Sequence, residues 1–438
     1  MFEKFFQLSK KGTDFKTELL AGLTTFLTMA YILGVNPGML SIGGIPFEAA
    51  FLATALSAAI ATLIMGLYAN YPVALAPGMG LNAFFTFNVI LQFGLSWQGA
   101  LAAVFVSGIL FLIVTVTGIR KVVIQAIPKQ LKLAIGAGIG FFIAFIGFQN
   151  AGIIVGDQAT LVALGDLTNG AVLLSVFGVL ITIALLAFKV KAAIFFGMVI
   201  TAVVGLIAGG FGVADMPALP AAIVSVEFDT SAVFAFVGGM DDLFAHPQAF
   251  LIIFTFLFVD FFDTAGTLVA VANRTNLVDE EGNLERVEKA LMADAVGTIA
   301  GASLGTSTVT SYIESASGVE VGGRTGLTAV TTAVLFILAI FFAPLLAIVT
   351  GIVTAPALIV VGILMAQQLG GIDWSDFVYA SSSFMAVITM ILAYSISDGI
   401  AVGFITYVVA SIAAKRTKEI HPIVWVLLPI FVLHYILK

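Results

Sequence analysis

Cysteine is absent from this chain of 438 residues, so disulfide bonds and cysteine-based metal sites are excluded. Histidine is nearly absent: His246, His421 and His434 lie far apart, and none has a second histidine at the spacing of a metal-binding pair. Charged residues make up only 10% of the chain, against roughly 25% in soluble globular proteins. No basic patch indicates a nucleic-acid partner, and we expect no cofactor.

Apolar residues are abundant in their place. They form 61% of the chain, and the mean hydropathy is +1.15. Such a chain has too little polar surface to face water, so its solvent must be lipid, in which each helix needs roughly 20 apolar residues. We therefore predict an all-α, polytopic membrane protein. The start is not a cleavable signal, because apolar residues begin only near Leu19 and no small-residue cleavage pattern follows.

Fourteen apolar segments follow one another along the chain. They cover 17–36, 48–69, 76–93, 97–117, 130–151, 171–188, 191–211, 248–272, 287–304, 308–320, 325–344, 346–369, 376–395 and 397–414. The third is broken by Gly and Pro, and the tenth is short and rich in Ser and Thr. A last short apolar stretch, 422–437, is predicted to lie at the membrane surface.

The basic residues set the orientation, because Lys and Arg concentrate in cytoplasmic loops. With the N-terminus inside, all 18 Lys and Arg fall on one side of the membrane. The long segment 209–247 carries five acids and no base, as an external loop would. We therefore expect an inner or plasma membrane protein whose two termini are cytoplasmic.

The external segment divides the chain into two repeats of seven spans, 1–211 and 248–414, joined by an extracytoplasmic connection at 212–247 and followed by a cytoplasmic or interfacial tail at 415–438. Since seven is odd, the second repeat is inverted relative to the first. The third span of each repeat is the broken one. Broken segments at matching positions of two repeats indicate the binding site of a transporter.

Three acids stand out within predicted spans: Asp260, Asp263 and Glu314. A carboxylate inside a membrane costs at least a few kcal/mol and faces a cavity or a partner. Because no Lys or Arg lies inside the membrane to pair with them, protonation is the natural way to neutralise these groups, which makes them candidate proton carriers. A structural hydrogen bond or helix cap is the alternative. Asp260 and Asp263 are three residues apart and face one side of their helix.

The break in the third span contains Pro77, which lacks an N–H, and Gly78 and Gly80, which allow unusual backbone angles. Asn82 follows at the start of the half-helix. Its amide offers a donor and an acceptor together, which suits the edge of a heterocycle, although a helix cap is an alternative role. Phe84 could stack on a planar ring, as could Tyr31, but each is one of many aromatic residues that pack in cores.

The break in the tenth span begins at Gly305 and is too polar to face lipid. We predict an extended stretch to about Ser311 and then a half-helix whose N-terminus presents Ile313 and Glu314. Free N–H groups and the positive end of the helix dipole suit an acceptor-rich ligand at that point.

Several motifs make the chain resemble the AzgA-like hypoxanthine–guanine–adenine permeases of the nucleobase–ascorbate transporter group. The motifs are TMAYIL (28–33), NPGML (36–40), APGMGLNAFF (76–85), FIGFQNAGI (145–153), VDFFDTAGTL (259–268) and GTSTVTSYIESASGVEVGGRTGLTAV (305–330). The resemblance implies a core domain of spans 1–4 and 8–11 and a gate domain of spans 5–7 and 12–14. It also implies uptake of hypoxanthine, guanine or adenine with protons by alternating access, and it leaves a homodimer open.

By motif position, the resemblance places the purine against Asn82, Asp260 and Glu314, and it links Asp263 to transport. It adds an aromatic residue two positions before Glu314, where Tyr312 stands, and one in the first span, for which Tyr31 is the match.

Two other classes of protein compete with this interpretation. A transporter or channel for another small solute or an anion could have the same architecture, but the carboxylates near the breaks disfavour an anion. An intramembrane aspartyl protease places its aspartates on separate helices, whereas Asp260 and Asp263 share one turn and no GxGD string exists. We therefore expect a transporter and not an enzyme.

Overall fold

A computed structural model describes residues 2–117, 128–220, 222–272 and 286–437, and helices form most of it. The helices are α1 Phe2–Phe6, α2 Phe15–Met29, α3 Ile32–Ile42, α4 Phe47–Ile64, α5 Met79–Ala83, α6 Trp97–Val116, α7 Lys129–Asn150, α8 Gly170–Ala187, α9 Ala193–Gly210, α10 Met240–Ala245, α11 Ala249–Ala272, α12 Val287–Leu304, α13 Ser315–Val321, α14 Gly326–Ala339, α15 Gly351–Ala366, α16 Phe377–Leu392, α17 Ile396–Ala413 and α18 Pro422–Leu437. The strands are β1 Leu75–Pro77, β2 Ile154–Asp157, β3 Leu161–Leu164 and β4 Val309–Ser311.

Within these described ranges, nine helical stretches are long and apolar enough to cross a membrane, and three apolar helical stretches are shorter. One of the shorter ones, Met79–Gln92, combines α5 with a π-helical segment, Phe84–Gln92. The longest stretch, Phe15–Ile42, joins α2 and α3. The tail is also helical: in α18, Phe431 stacks on Phe404 of α17 at 5.1 Å between ring centroids. Its place at the membrane surface remains a prediction.

Several helices begin with a polar N-capping residue. Asp14 caps α2, where its carboxylate accepts from the backbone N–H groups of Thr17 and Lys16 at 3.0 and 2.9 Å. These hydrogen bonds lower the pKa of Asp14 below its ordinary value, the bond from Thr17 having the largest effect. Ser96 begins α6 in the same way, accepting from the N–H of Gly99 at 3.0 Å. Each cap satisfies a donor that a helix leaves unpaired at its first turn.

The helices pack as two groups. In the first helix group, which comprises α2–α6 and α11–α14, α12 packs on α4 and α6, and α14 packs on α2 and α4. In the second helix group, which comprises α7–α9 and α15–α17, α15 packs on α7 and α8, and α16 packs on α7 and α17. Packing between the groups is sparser and includes α15 against α3 and α5 against α7.

A buried amide joins the two groups. Asn88, in the π-helical segment, donates to the carbonyl oxygen of Tyr394 at 2.8 Å and accepts from the N–H of Ile396 at 3.3 Å. Tyr394 lies in the turn between α16 and α17, and Ile396 is the first residue of α17. The ring of Tyr394 packs edge-on against Phe87 and Phe142. The break in the third span therefore continues into a direct contact with the second helix group.

The strands show that the chain is not purely helical. β1 pairs antiparallel with β4, although more than 200 residues separate them in the sequence, and β2 pairs with β3 in a hairpin between α7 and α8. A backbone that leaves helical form inside lipid must find other hydrogen-bond partners. The two broken spans supply these partners to each other.

A buried carboxylate fixes the start of α14. Glu18 of α2 is fully buried and accepts five hydrogen bonds, at 2.7–3.2 Å. The donors are the backbone N–H groups of Arg324, Thr325 and Thr328 and the hydroxyls of Thr325 and Thr328. Glu18 therefore acts as an N-cap for α14, although it lies in α2, and its hydrogen bonds join the two helices.

We expect Glu18→Gln to destabilise the protein by about 3 kcal/mol, because an amide NH₂ would replace one acceptor oxygen and face buried N–H donors. The unfolding temperature in detergent should fall by several degrees. Glu48→Gln, which changes an exposed acid at the start of α4, is the matched control and should leave it unchanged. Equal unfolding temperatures for the two variants would contradict this role of Glu18.

Candidate functional site

The two predicted breaks meet in space. Ala76 of β1 lies opposite Thr310 of β4, and Leu75 lies opposite Ser311. The ladder continues past the strands, because the N–H of Tyr312 donates to the carbonyl oxygen of Ala74 at 2.9 Å. Helix α5 begins just beyond β1, and α13 begins just beyond β4. The N-termini of two short helices are therefore held beside one small sheet.

The glycines in the first break are needed for space. Glycine would allow unusual backbone angles at Gly78 and Gly80, but neither residue has a positive φ. A Cβ atom on Gly78 would lie 2.6 Å from Thr310 Cγ2, and one on Gly80 would lie 2.5 Å from Ile139 Cγ2 in α7. Gly305 does take the left-handed conformation, with φ of 106°, where it ends α12.

An acidic cluster lies at the start of α13. Glu314 is the residue directly before this helix and is partly exposed, and its Oε1 accepts from the hydroxyl of Tyr31 at 2.6 Å. Asp263 of α11 is also partly exposed, and its Oδ2 lies 3.6 Å from the Cβ position of Gly78. Ile313 is 50% exposed beside them. The structure thus brings Glu314, Asp263 and Tyr31 together, with both carboxylates accessible.

Asp260 lies in a different environment. Its side chain is 1% exposed, and its Oδ2 lies 3.2 Å from the hydroxyl of Thr298 in α12. The same hydroxyl is 3.0 Å from the carbonyl oxygen of Val309 in β4. Asp260 is therefore packed behind the small sheet, whereas Asp263 is the member of the pair that lies near Gly78.

Asn82 is buried and already bonded. The hydroxyl of Ser307 donates to its Oδ1, and its Nδ2 lies 3.5 Å from the carbonyl oxygen of Pro77. The hydroxyl of Tyr312 donates to the same carbonyl oxygen. A ligand can reach the amide of Asn82 only by exchanging these bonds. Ser307 of the second break thus bonds to a side chain of the first.

The aromatic rings near the breaks are enclosed by protein. Phe84 is fully buried and packs edge-on against Phe256 at 4.9 Å between centroids. Tyr31 is 1% exposed and Tyr312 is 5% exposed. In this conformation the hydroxyls of the two tyrosines bond to the framework of the site, and no face of these three rings is open to a ligand.

Sequence reasoning overlooked other buried acids within helices. Asp294 of α12 is fully buried, and its Oδ1 accepts from the hydroxyl of Thr264 at 2.7 Å. The oxygen of Thr264 lies 2.7 Å from that of Thr310, so Asp294 is linked to β4. Asp398 is 2% exposed in α17. The signal was present, because both acids interrupt apolar segments that had been predicted to span the membrane.

Comparison with known proteins decides the family. A model described as "Permease family" matches residues 16–402. The guanine/hypoxanthine permease PbuG of Bacillus subtilis is 48% identical over 99% of both chains. The adenine permease AdeP of Escherichia coli is 41% identical over 99% of this chain and 95% of its own.

The chain belongs to the permease family. The resemblance predicted from its motifs is confirmed, and the permease is a multi-pass membrane protein whose relatives are named as transporters, not enzymes.

Solved structures confirm the fold of the permease. The transmembrane domain of the cyanobacterial bicarbonate transporter BicA aligns with a TM-score of 0.62 over 91% of this chain and 97% of its own, at 16% identity. The structure of SLC26A9 aligns with a TM-score of 0.65 over 94% of this chain and 68% of its own, at 12% identity. The permease therefore has the predicted fold of two inverted seven-span repeats, with small strands within the third and tenth spans.

Proposed function

We propose that this permease imports purine nucleobases, namely hypoxanthine, guanine or adenine, together with protons. The identity to PbuG along nearly the whole of both chains supports the substrate class. The cluster of Glu314, Asp263 and Tyr31 beside two helix N-termini carries the proposal for the site, because it sets acceptor oxygens and backbone N–H groups around one point. Purine edges carry both N–H donors and hydrogen-bond acceptors, which match these groups.

The purine would bind at the start of α5 and α13, where Glu314 accepts from a ring N–H. Asn82 would hydrogen-bond to the remaining edge of the purine after its own bond with the Ser307 hydroxyl has broken. Half-exposed Ile313 would cover a face of the purine ring. Asp260 would act from behind the sheet through Thr298. Among the aromatic residues, Tyr312 and Phe84 would shape the pocket from their buried positions.

The proton would be carried by the accessible carboxylates, Glu314 and Asp263, with Asp260 as a further carrier. Burial in a low-dielectric setting favours the protonated form of a carboxyl group, because desolvation penalises its charged form. Coupling requires the state that carries both purine and proton to reorient more readily than a half-loaded state.

Alternating access would occur between the two helix groups. We propose that the first helix group is the core domain and the second is the gate domain, with both termini in the cytoplasm. The dense packing within each group and the sparser packing between them support this division. Asn88, with its bonds to the turn at Tyr394 and Ile396, would then close one side of the site.

Uptake of radiolabelled hypoxanthine tests the proposal. In cells that lack their own purine permeases, we expect the protein to confer uptake that unlabelled guanine or adenine reduces and uracil does not, because the site reads a purine edge. A protonophore should reduce uptake at least severalfold. Bicarbonate uptake without purine uptake would contradict the proposal and favour an anion transporter. Purine uptake that ignores the protonophore would reject only the proton coupling.

A further inference from the structure

The hydroxyl of Tyr31, in the first span, hydrogen-bonds to the carboxylate of Glu314 in the acidic cluster. Tyr31 lies at the junction of α2 and α3 and has helical backbone angles. Its ring belongs to the buried core, with only 1% of the residue exposed. The ring therefore offers no face on which a purine could stack, which leaves the hydroxyl as the functional group of this side chain.

That hydroxyl selects one oxygen of Glu314. It donates to Oε1 at 2.6 Å, the length of a strong charge-assisted hydrogen bond. Nearby, the hydroxyl of Thr28 approaches the backbone carbonyl oxygen of Glu314 at 3.5 Å, so α2 contacts both the main chain and the side chain of this residue. Oε1 is thus the oxygen of Glu314 that accepts from Tyr31. The two carboxylate oxygens are therefore not equivalent.

We propose that Tyr31 is a positioning residue that holds Oε1 of Glu314 and presents Oε2 to the purine and the proton. This inference rests on the proposed function and assigns Tyr31 a different role from the stacking that its residue type predicted. A fixed carboxylate costs less entropy on binding than one that must be ordered by the ligand. A phenol can only donate to an ionised carboxylate, so the proton enters at the other oxygen.

The titratable groups around Glu314 come from three places in the fold. Tyr312 stands just beyond β4, Asp263 faces Glu314 from α11, and Tyr31 lies between α2 and α3. A protonated tyrosine carries no charge, so Asp263 is the neighbour that can repel an ionised Glu314. The Tyr312 hydroxyl donates elsewhere, to the Pro77 carbonyl oxygen. Tyr31 is thus the side chain seen to donate to the Glu314 carboxylate within the described residues.

Tyr31→Phe removes the hydroxyl and keeps the ring. We expect the dissociation constant of hypoxanthine for purified protein to rise about tenfold or more, since hydrogen bonds to charged groups have effects of this size on equilibrium constants. The alkaline limb of the pH profile of uptake should move to higher pH, because the ionised carboxylate has lost a donor. A purine that stacked on the ring would bind the phenylalanine variant unchanged.

Two further variants complete the test. Tyr407→Phe removes a buried tyrosine hydroxyl in α17 and should change neither measurement. Adding Tyr31→Phe to Glu314→Gln should change hypoxanthine binding less than twofold, because no ionised carboxylate remains to be positioned; a full additional tenfold loss overturns the proposal, as does unchanged binding in the single variant. Failure of the wild type to bind any purine would instead reject the proposed function.

Discussion

Glu314→Gln is expected to reduce hypoxanthine uptake at least a hundredfold while the protein still reaches the membrane in normal amounts. The amide is almost isosteric with the acid, so the start of α13 should keep its shape. It cannot take up a proton, and its NH₂ group would oppose a purine N–H donor. Initial rates of uptake across a range of pH values measure the effect.

The matched control for this variant is Glu320→Gln, which changes an exposed acid on the same helix. It should transport at close to the wild-type rate. The proton role of Glu314 is rejected if the glutamine variant retains uptake with an unaltered pH dependence. Loss of uptake together with loss of the protein from the membrane would show a folding role instead.

Gly80→Ala is expected to lower uptake at least tenfold. The added methyl would lie 2.5 Å from Ile139 Cγ2, and this contact joins α5 of the first helix group to α7 of the second. Overpacking of this kind typically costs 1–3 kcal/mol, and here the strain falls at the boundary where the two groups are proposed to move past each other. Uptake and membrane abundance, measured together, separate a transport defect from misfolding.

A compensating variant makes this prediction specific. Ile139→Ala removes the Cγ2 atom that crowds the added methyl and leaves a Cβ atom at 3.8 Å, an ordinary contact, so the double variant Gly80→Ala/Ile139→Ala should recover most of the uptake. Gly38→Ala is the control, because a Cβ atom at that position meets nothing within 4 Å. Equal losses at Gly38 and Gly80 would contradict the steric explanation.

The sequence predicts the architecture well because its signals are local. Apolar runs give the spans, and the break at Pro77 and the polar run after Gly305 locate the two irregular spans. The pairing of β1 with β4 is not a local property. It joins Ala76 to Thr310, and no sequence period connects residues so far apart.

The roles of individual side chains are harder to predict, because they depend on which partners the fold supplies. Residue type suggests a stacking role for Tyr31, which stays a prediction, whereas in the structure its hydroxyl donates to Glu314 and its ring is buried. Gly80 was expected to provide unusual backbone angles, whereas the requirement is room for Ile139. Glu18 carries no sequence signal that singles it out, and its five donors come from residues more than 300 positions away.

The small sheet formed by β1 and β4 also has a consequence for transport across the membrane. A ladder of main-chain hydrogen bonds ties the start of α5 to the start of α13, so neither can move away from the other without breaking it. We therefore expect the starts of α5 and α13 to move together as one rigid body, so that the substrate keeps the same contacts from one face of the bilayer to the other.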